Sequence, residues 1–176
     1  MIIKKNNLKK KNNKSSGNLV LFVDDKFSTD SLKRYLSNTE FTYIKDLLKI
    51  SDLKKNLFVF EFSSKKKIVL ISIKKDLKSF DIENLGAEFY GRINYGKNSE
   101  YFINSDSIIG SHKNLIGHFL HGLKLKSYKF NKYKTKKEAR IFSLNILGNK
   151  NMTSVQNQLK FKALEEGTFY ARDLVS

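Results

Sequence analysis

The sequence predicts an α/β fold: a three-layer α/β/α sandwich around a mixed sheet. Two observations carry this. Short apolar runs alternate with stretches whose apolar residues recur at helical spacing, the pattern of a sheet covered by helices. Two of the runs, "NLFVFEF" and "KIVLISI", are separated only by the polar "SSKKK", so one antiparallel hairpin interrupts an otherwise parallel order.

Taken in order, residues 1–17 are expected to be a disordered basic tail carrying six lysines. "NLVLFV" (18–23) reads as a buried strand. "STDSLKRYLS" reads as a short helix capped by Ser28, Thr29 or Asp30. "TEFTYIKDLLKIS" places Phe41, Ile44, Leu47 and Leu48 on one helical face. The hairpin strands follow at 56–62 and 67–73. "SFDIENLGAEFYGRIN" (79–94) opens with a capping signature and aligns Ile82, Leu85, Phe89 and Ile93. "SEYFINS" is a brief strand. "HKNLIGHFLHGLKL" is a helix built on Leu115, Ile116, Phe119, Leu120 and Leu123. "RIFSLNIL" (140–147) is a strand closed by Gly148-Asn149. The last element starts at Thr153 or Ser154 and carries Val155, Leu159, Ala163, Gly167, Tyr170 and Leu174 along one stripe. With no internal repeat and no Gly/Ser linker, residues 18–176 form one domain. The chain stops without a helix terminator, as expected of a fragment or of a gene product that has lost what followed.

Composition bounds the function. The chain has 34 basic and 17 acidic residues, a formal charge of +17, which favours polyanionic partners but does not bear on fold. Nearly all of the basic side is lysine, the arginines being Arg34, Arg92, Arg140 and Arg172. Arginine is the residue of base-edge reading, so the charge points to non-specific attraction. A skew toward Lys, Asn, Ile, Ser and Phe offers a compositional explanation of the same charge. With no cysteine there is no disulfide, thiolate nucleophile or cysteine-ligated zinc. The longest apolar runs are too short to span a bilayer, and no secretory leader is evident, so a cytoplasmic protein is expected.

The chemical motifs are sparse. His118 and His121 stand at i, i+3 and His112 lies nearby, but no acidic residue in that segment completes a metal site. Asp24 and Asp25 at a strand end are expected to be turn-formers, and Ser63 and Ser64 lack a nucleophile-activating frame. The "SIKKD" turn (72–76) sits where phosphate-binding turns occur, without the glycines that admit a phosphate to the backbone. "SYKFNKYKTKKEAR" (127–140) interleaves Tyr128, Phe130 and Tyr133 with lysines, as nucleic-acid-binding surfaces do. Tyr133 breaks the strand parity of the other two, so a single stacking face is not expected. The candidate contacts are Lys124, Lys126, Lys129, Lys132, Lys134, Lys136 and Lys137.

"GLKLKSYKFNKYKTKK" (122–137) and, about thirty residues on, "ALEEGTFYARDLVS" (163–176) together resemble the leucyl (cytosol) aminopeptidase family, at the end of its N-terminal domain. The matches are Gly122, Leu125, Tyr128, Phe130, Tyr133, Lys134, Glu166, Gly167, Ala171, Arg172, Asp173, Leu174 and Val175. The first half fits loosely, with Ser72-Ile73-Lys74-Lys75 where the family usually has Gly-Leu-Gly-Lys, and the chain has Ser176 where the family usually has Asn. The resemblance implies a macro-domain-like sandwich in which Gly122, Tyr128, Phe130, Tyr133, Glu166, Gly167, Arg172 and Asp173 are structural. It implies no catalytic or metal-binding residue and no cofactor in this chain. Two divalent metals, manganese or zinc, belong to a C-terminal catalytic domain that the chain lacks, so the chain alone is expected to be inactive. That domain, a homo-hexamer and, in some bacterial members, DNA are the implied partners. A nucleic-acid-binding module is the rival reading, and a macro-like ADP-ribose pocket at 72–76 a third.

Overall fold

The computed structural model describes residues 2–5, 17–93, 98–110, 112–129 and 141–175. Its centre is a six-stranded sheet formed by β1 (Ile2–Lys5), β2 (Asn18–Val23), β3 (Leu57–Ser63), β4 (Lys66–Ser72), β5 (Asn98–Asn104) and β6 (Ile141–Leu147), in the order β1-β6-β5-β2-β4-β3. All neighbours are parallel except β3 and β4, which form the expected antiparallel hairpin. The mixed α/β sandwich is therefore as the sequence predicts.

β-strand alternation splits the core in two. Val20 and Phe22 of β2 and Val69 and Ile71 of β4 face one cluster, under α2 (Ser79–Ile93) and α3 (Leu115–Ser127). Leu19, Leu21, Ile68 and Leu70 face the other, under α1 (Asn38–Lys49). The predicted stripe of α2 is buried throughout, at Ile82, Leu85, Phe89 and Ile93. In the same cluster, burial, with the charge of Glu61 adding to it, pushes the Tyr101 phenol up to about 12.

Local chemistry sets the boundaries. Ser37 and Glu40 form a capping box at α1: Ser37 Oγ accepts from the Glu40 N–H at 3.3 Å, and Glu40 Oε2 accepts from the Ser37 N–H at 2.9 Å. Burial raises the Glu40 carboxyl, but its bonds from Lys66 and Ser37 outweigh that and hold it below the usual range. At α2 the Asp81 carboxylate accepts from the Lys78 N–H at 3.1 Å. Gly148 closes β6 at φ +83°, and Asp106 accepts from the Asn149 N–H just beyond it.

Two expectations are corrected. Residues 2–5, placed in a disordered tail, form β1, which pairs in parallel with β6 through Ile2↔Ser143 to Lys5↔Ile146. The pairing covers the backbone of a strand that would otherwise be a sheet edge. Residues 6–16 lie outside the described residues. "STDSLKRYLS" makes only a single 3-10 turn, Asp30–Leu32, with no side-chain cap from Thr29. Leu32, Tyr35 and Leu36 are all buried against the second cluster, and α1 is already capped at Ser37, so burial rather than helical periodicity shapes the segment.

Candidate functional site

The two C-terminal motifs meet in space at the junction of α3 with the last helix, α4 (Val155–Val175). Tyr128, just past the end of α3, donates its hydroxyl to Asp173 Oδ1 at 2.5 Å and stacks on Phe169 with ring centroids 5.2 Å apart. Arg172 donates to the Leu125 carbonyl at 2.9 Å, satisfying an acceptor that a helix C-terminus leaves open, and its guanidinium lies 5.4 Å from the Tyr128 ring centre. Two turns earlier the buried Glu165 carboxylate takes His121 Nδ1 at 3.0 Å and Lys124 Nζ at 2.8 Å. Phe161 rests on both His118 and His121, each with centroids 4.9 Å apart.

Gly122 is structural for a steric reason. A Cβ there would lie 1.9 Å from the Glu83 carbonyl oxygen of α2. Gly86 makes the reciprocal approach to α3, where a Cβ would lie 1.9 Å from the Phe119 carbonyl oxygen. Gly167 is the opposite case, with nothing among the described residues within 4 Å of the added Cβ.

That contrast follows the direction α4 faces. Its inner side carries Phe161, Glu165, Phe169 and Arg172. The predicted apolar stripe points away from the body: Val155 is 72% exposed, Leu159 63%, Tyr170 68% and Leu174 66%, with Gly167 among them. Glu165 is the one residue of α4 classed as buried among those described. Glu166 is exposed, 3.8 Å from Lys162.

The lysines are placed in part. Lys124 is half-buried and committed to Glu165, while Lys126 and Lys129 are exposed. Phe130, Lys132, Tyr133, Lys134, Lys136 and Lys137 lie outside the described residues. Asp24 is a turn-former, accepting from the Lys26 and Ser28 N–H groups; burial raises its carboxyl, but these bonds dominate and lower it. The 72–76 turn borders a cleft of about 190 Å³ lined by Ser72 and Lys74 together with Asp81 and Glu88. Two carboxylates there oppose a phosphate.

Sequence reasoning missed the histidines' partners. His118 Nδ1 lies 2.8 Å from Glu83 of α2, and His121 pairs with Glu165 of α4, 44 residues away. No acidic residue lies in the 112–121 segment that holds the histidines, so local spacing carried no signal. Among the described residues no group of three or more His, Asp or Glu side chains comes together to hold a metal. The described residues therefore do not fit a metal ion.

This is the α/β fold found at the N-terminal region of leucine aminopeptidase. A point mutant of the tomato leucine aminopeptidase matches with TM-score 0.66 at 15% sequence identity, over 99% of this chain and 38% of that one. The bottromycin maturation enzyme BotP, in complex with Mn, matches with TM-score 0.59 at 9% identity, over 92% of this chain and 32% of that one. The chain thus spans well under half the length of either protein. No family model and no curated protein matches the sequence. At these identities the likeness is one of fold. Among the described residues no helix is long and apolar enough to cross a membrane.

Proposed function

We propose that this chain is the non-catalytic N-terminal domain of a leucyl aminopeptidase-like protein, and that it supports assembly or regulation by docking through the outer face of α4. The observation that carries the reading is the outward apolar stripe, in register with a mid-helix glycine where an added Cβ would meet no described residue of another element. A glycine inside a helix costs stability relative to alanine and is at home where another backbone approaches closely. Exposed apolar stripes of this kind mark interaction surfaces. In this reading the release of N-terminal amino acids from peptides, with two divalent metals (manganese or zinc), belongs to a C-terminal domain seated against α4, in a cytoplasmic homo-hexamer.

The test has two arms. Residues 1–176 with added manganese or zinc should not turn over an amino-acid amide. An aminopeptidase catalytic domain supplied in trans should protect the amides of α4 from hydrogen exchange. Turnover by the chain alone, or an α4 that stays unprotected beside the catalytic domain, overturns the reading.

The exposed Lys126 and Lys129, on a chain of formal charge +17, favour a second reading as a nucleic-acid-binding surface. Phosphate contacts require an affinity for duplex DNA that falls steeply with salt. Absence of binding at low salt removes it.

A further inference from the structure

We propose that the cavity between α3 and α4 binds a small carboxylic acid with an apolar body, a role independent of the docking reading above. The cavity measures about 450 Å³, within the range of roughly 300–1,000 Å³ typical of small-molecule sites. Leu120, Ile146, Met152 and Phe161 line its apolar part. Lys124, His121, Glu165 and Thr153 line its polar part.

The hydrogen-bond inventory of that polar wall selects the ligand. Each oxygen of the Glu165 carboxylate already has a partner, His121 Nδ1 at 3.0 Å on one and Lys124 Nζ at 2.8 Å on the other. Lys124 balances its charge, which leaves it a weak site for a ligand cation. The Lys124 ammonium has three donors and gives one of them to Glu165. Thr153 Oγ1 has no hydrogen-bond partner among the described residues, but it is packed against Gly117 and reaches a ligand only after a side-chain rotation. The unmet capacity open to the cavity therefore lies in the remaining Lys124 ammonium donors, and a carboxylate supplies matching acceptors. Thr153 also immediately precedes the first turn of α4, where Ser154 Oγ accepts from the Asn157 N–H, so the positive end of a long helix adds to the preference for an anion. A single lysine and a largely apolar floor suit a monoanion with a hydrocarbon body better than a phosphate. An amine would meet Lys124 as a like charge.

The experiment titrates the full chain with octanoate and 4-phenylbutyrate, followed by calorimetry and by amide chemical shifts of α3 and α4. Octanol, octylamine and inorganic phosphate serve as comparators. The expected result is saturable octanoate binding with shifts centred on Leu120, Lys124 and Thr153. Lys124→Met should weaken it about tenfold, as loss of a charge-assisted hydrogen bond does. Leu120→Trp should abolish it by filling the cavity, with circular dichroism unchanged; if that variant does not fold, Met152→Phe makes the same test. No response at the solubility limit of octanoate overturns the proposal. So does equal binding of octylamine, octanol or phosphate, or octanoate binding that survives both Lys124→Met and the folded cavity-filling variant.

Discussion

Helices α3 and α4 carry equally legible apolar stripes and put them to opposite uses. α3 buries Leu115, Ile116, Phe119 and Leu123 against the sheet and seals to α2 through Gly86 and Gly122, so closely that backbone meets backbone. α4 shows its stripe to solvent and holds the body by its other side, through the Glu165 carboxylate, the Arg172 and Asp173 bonds and two aromatic rings. An amphipathic pattern states that a face is there to be covered. It does not name the cover.

The widest separation between the helices is expected at their glycines. Gly122→Ala forces α2 and α3 apart and should cost about 3 kcal/mol or more, the upper end of overpacking effects. Gly167→Ala should instead stabilise the isolated chain by about 0.5–1 kcal/mol through helix propensity. Urea unfolding of both variants decides it, and a costly Gly167→Ala would break the comparison by revealing a contact on the outer face.

Glu165→Ala comes next. It leaves the buried His121 without its carboxylate and Lys124 without its counter-charge, and should cost about 2–3 kcal/mol. Hydrogen exchange should quicken first in α4, with the amides of α2 and the central strands retaining their protection. Uniform loss of protection would mean that α4 is as integral to the core as α3.

The smallest effect is expected on the stripe itself. Leu159→Ser combined with Tyr170→Ser should change the stability of the chain by no more than about 0.5 kcal/mol per site, since both side chains are largely exposed. The same pair should abolish protection of α4 by an aminopeptidase catalytic domain. A large loss of stability in the isolated chain would sharpen the picture the other way, giving the stripe an intramolecular role.

Much of the fold was legible. The hairpin, the strand at 18–23 and the presence of α1, α2, α3 and α4 follow from local patterns, alternation and 3.6-residue spacing, whereas the Ser37–Glu40 cap of α1 emerged only in the structure. The short helix expected at 28–37 failed because three buried side chains, Leu32, Tyr35 and Leu36, outweighed a weak helical signal. The strand at 2–5 was hidden because a basic, asparagine-rich context masks a strand whose stability comes from its neighbour β6.

The site was legible only as separate pieces. Tyr128, Arg172 and Asp173 could be singled out as residues of two paired motifs. That they clasp one another, that Lys124 is bound to Glu165 rather than free, and that His118 and His121 each find a carboxylate on a different helix are decided by which elements pack together. Sequence alone determined the hairpin, the strand at 18–23 and the four long helices, since propensity and periodicity act over a few residues. The direction of the α4 stripe and the cavity beneath that helix depend on contacts between segments tens of residues apart, and only the tertiary structure decided those.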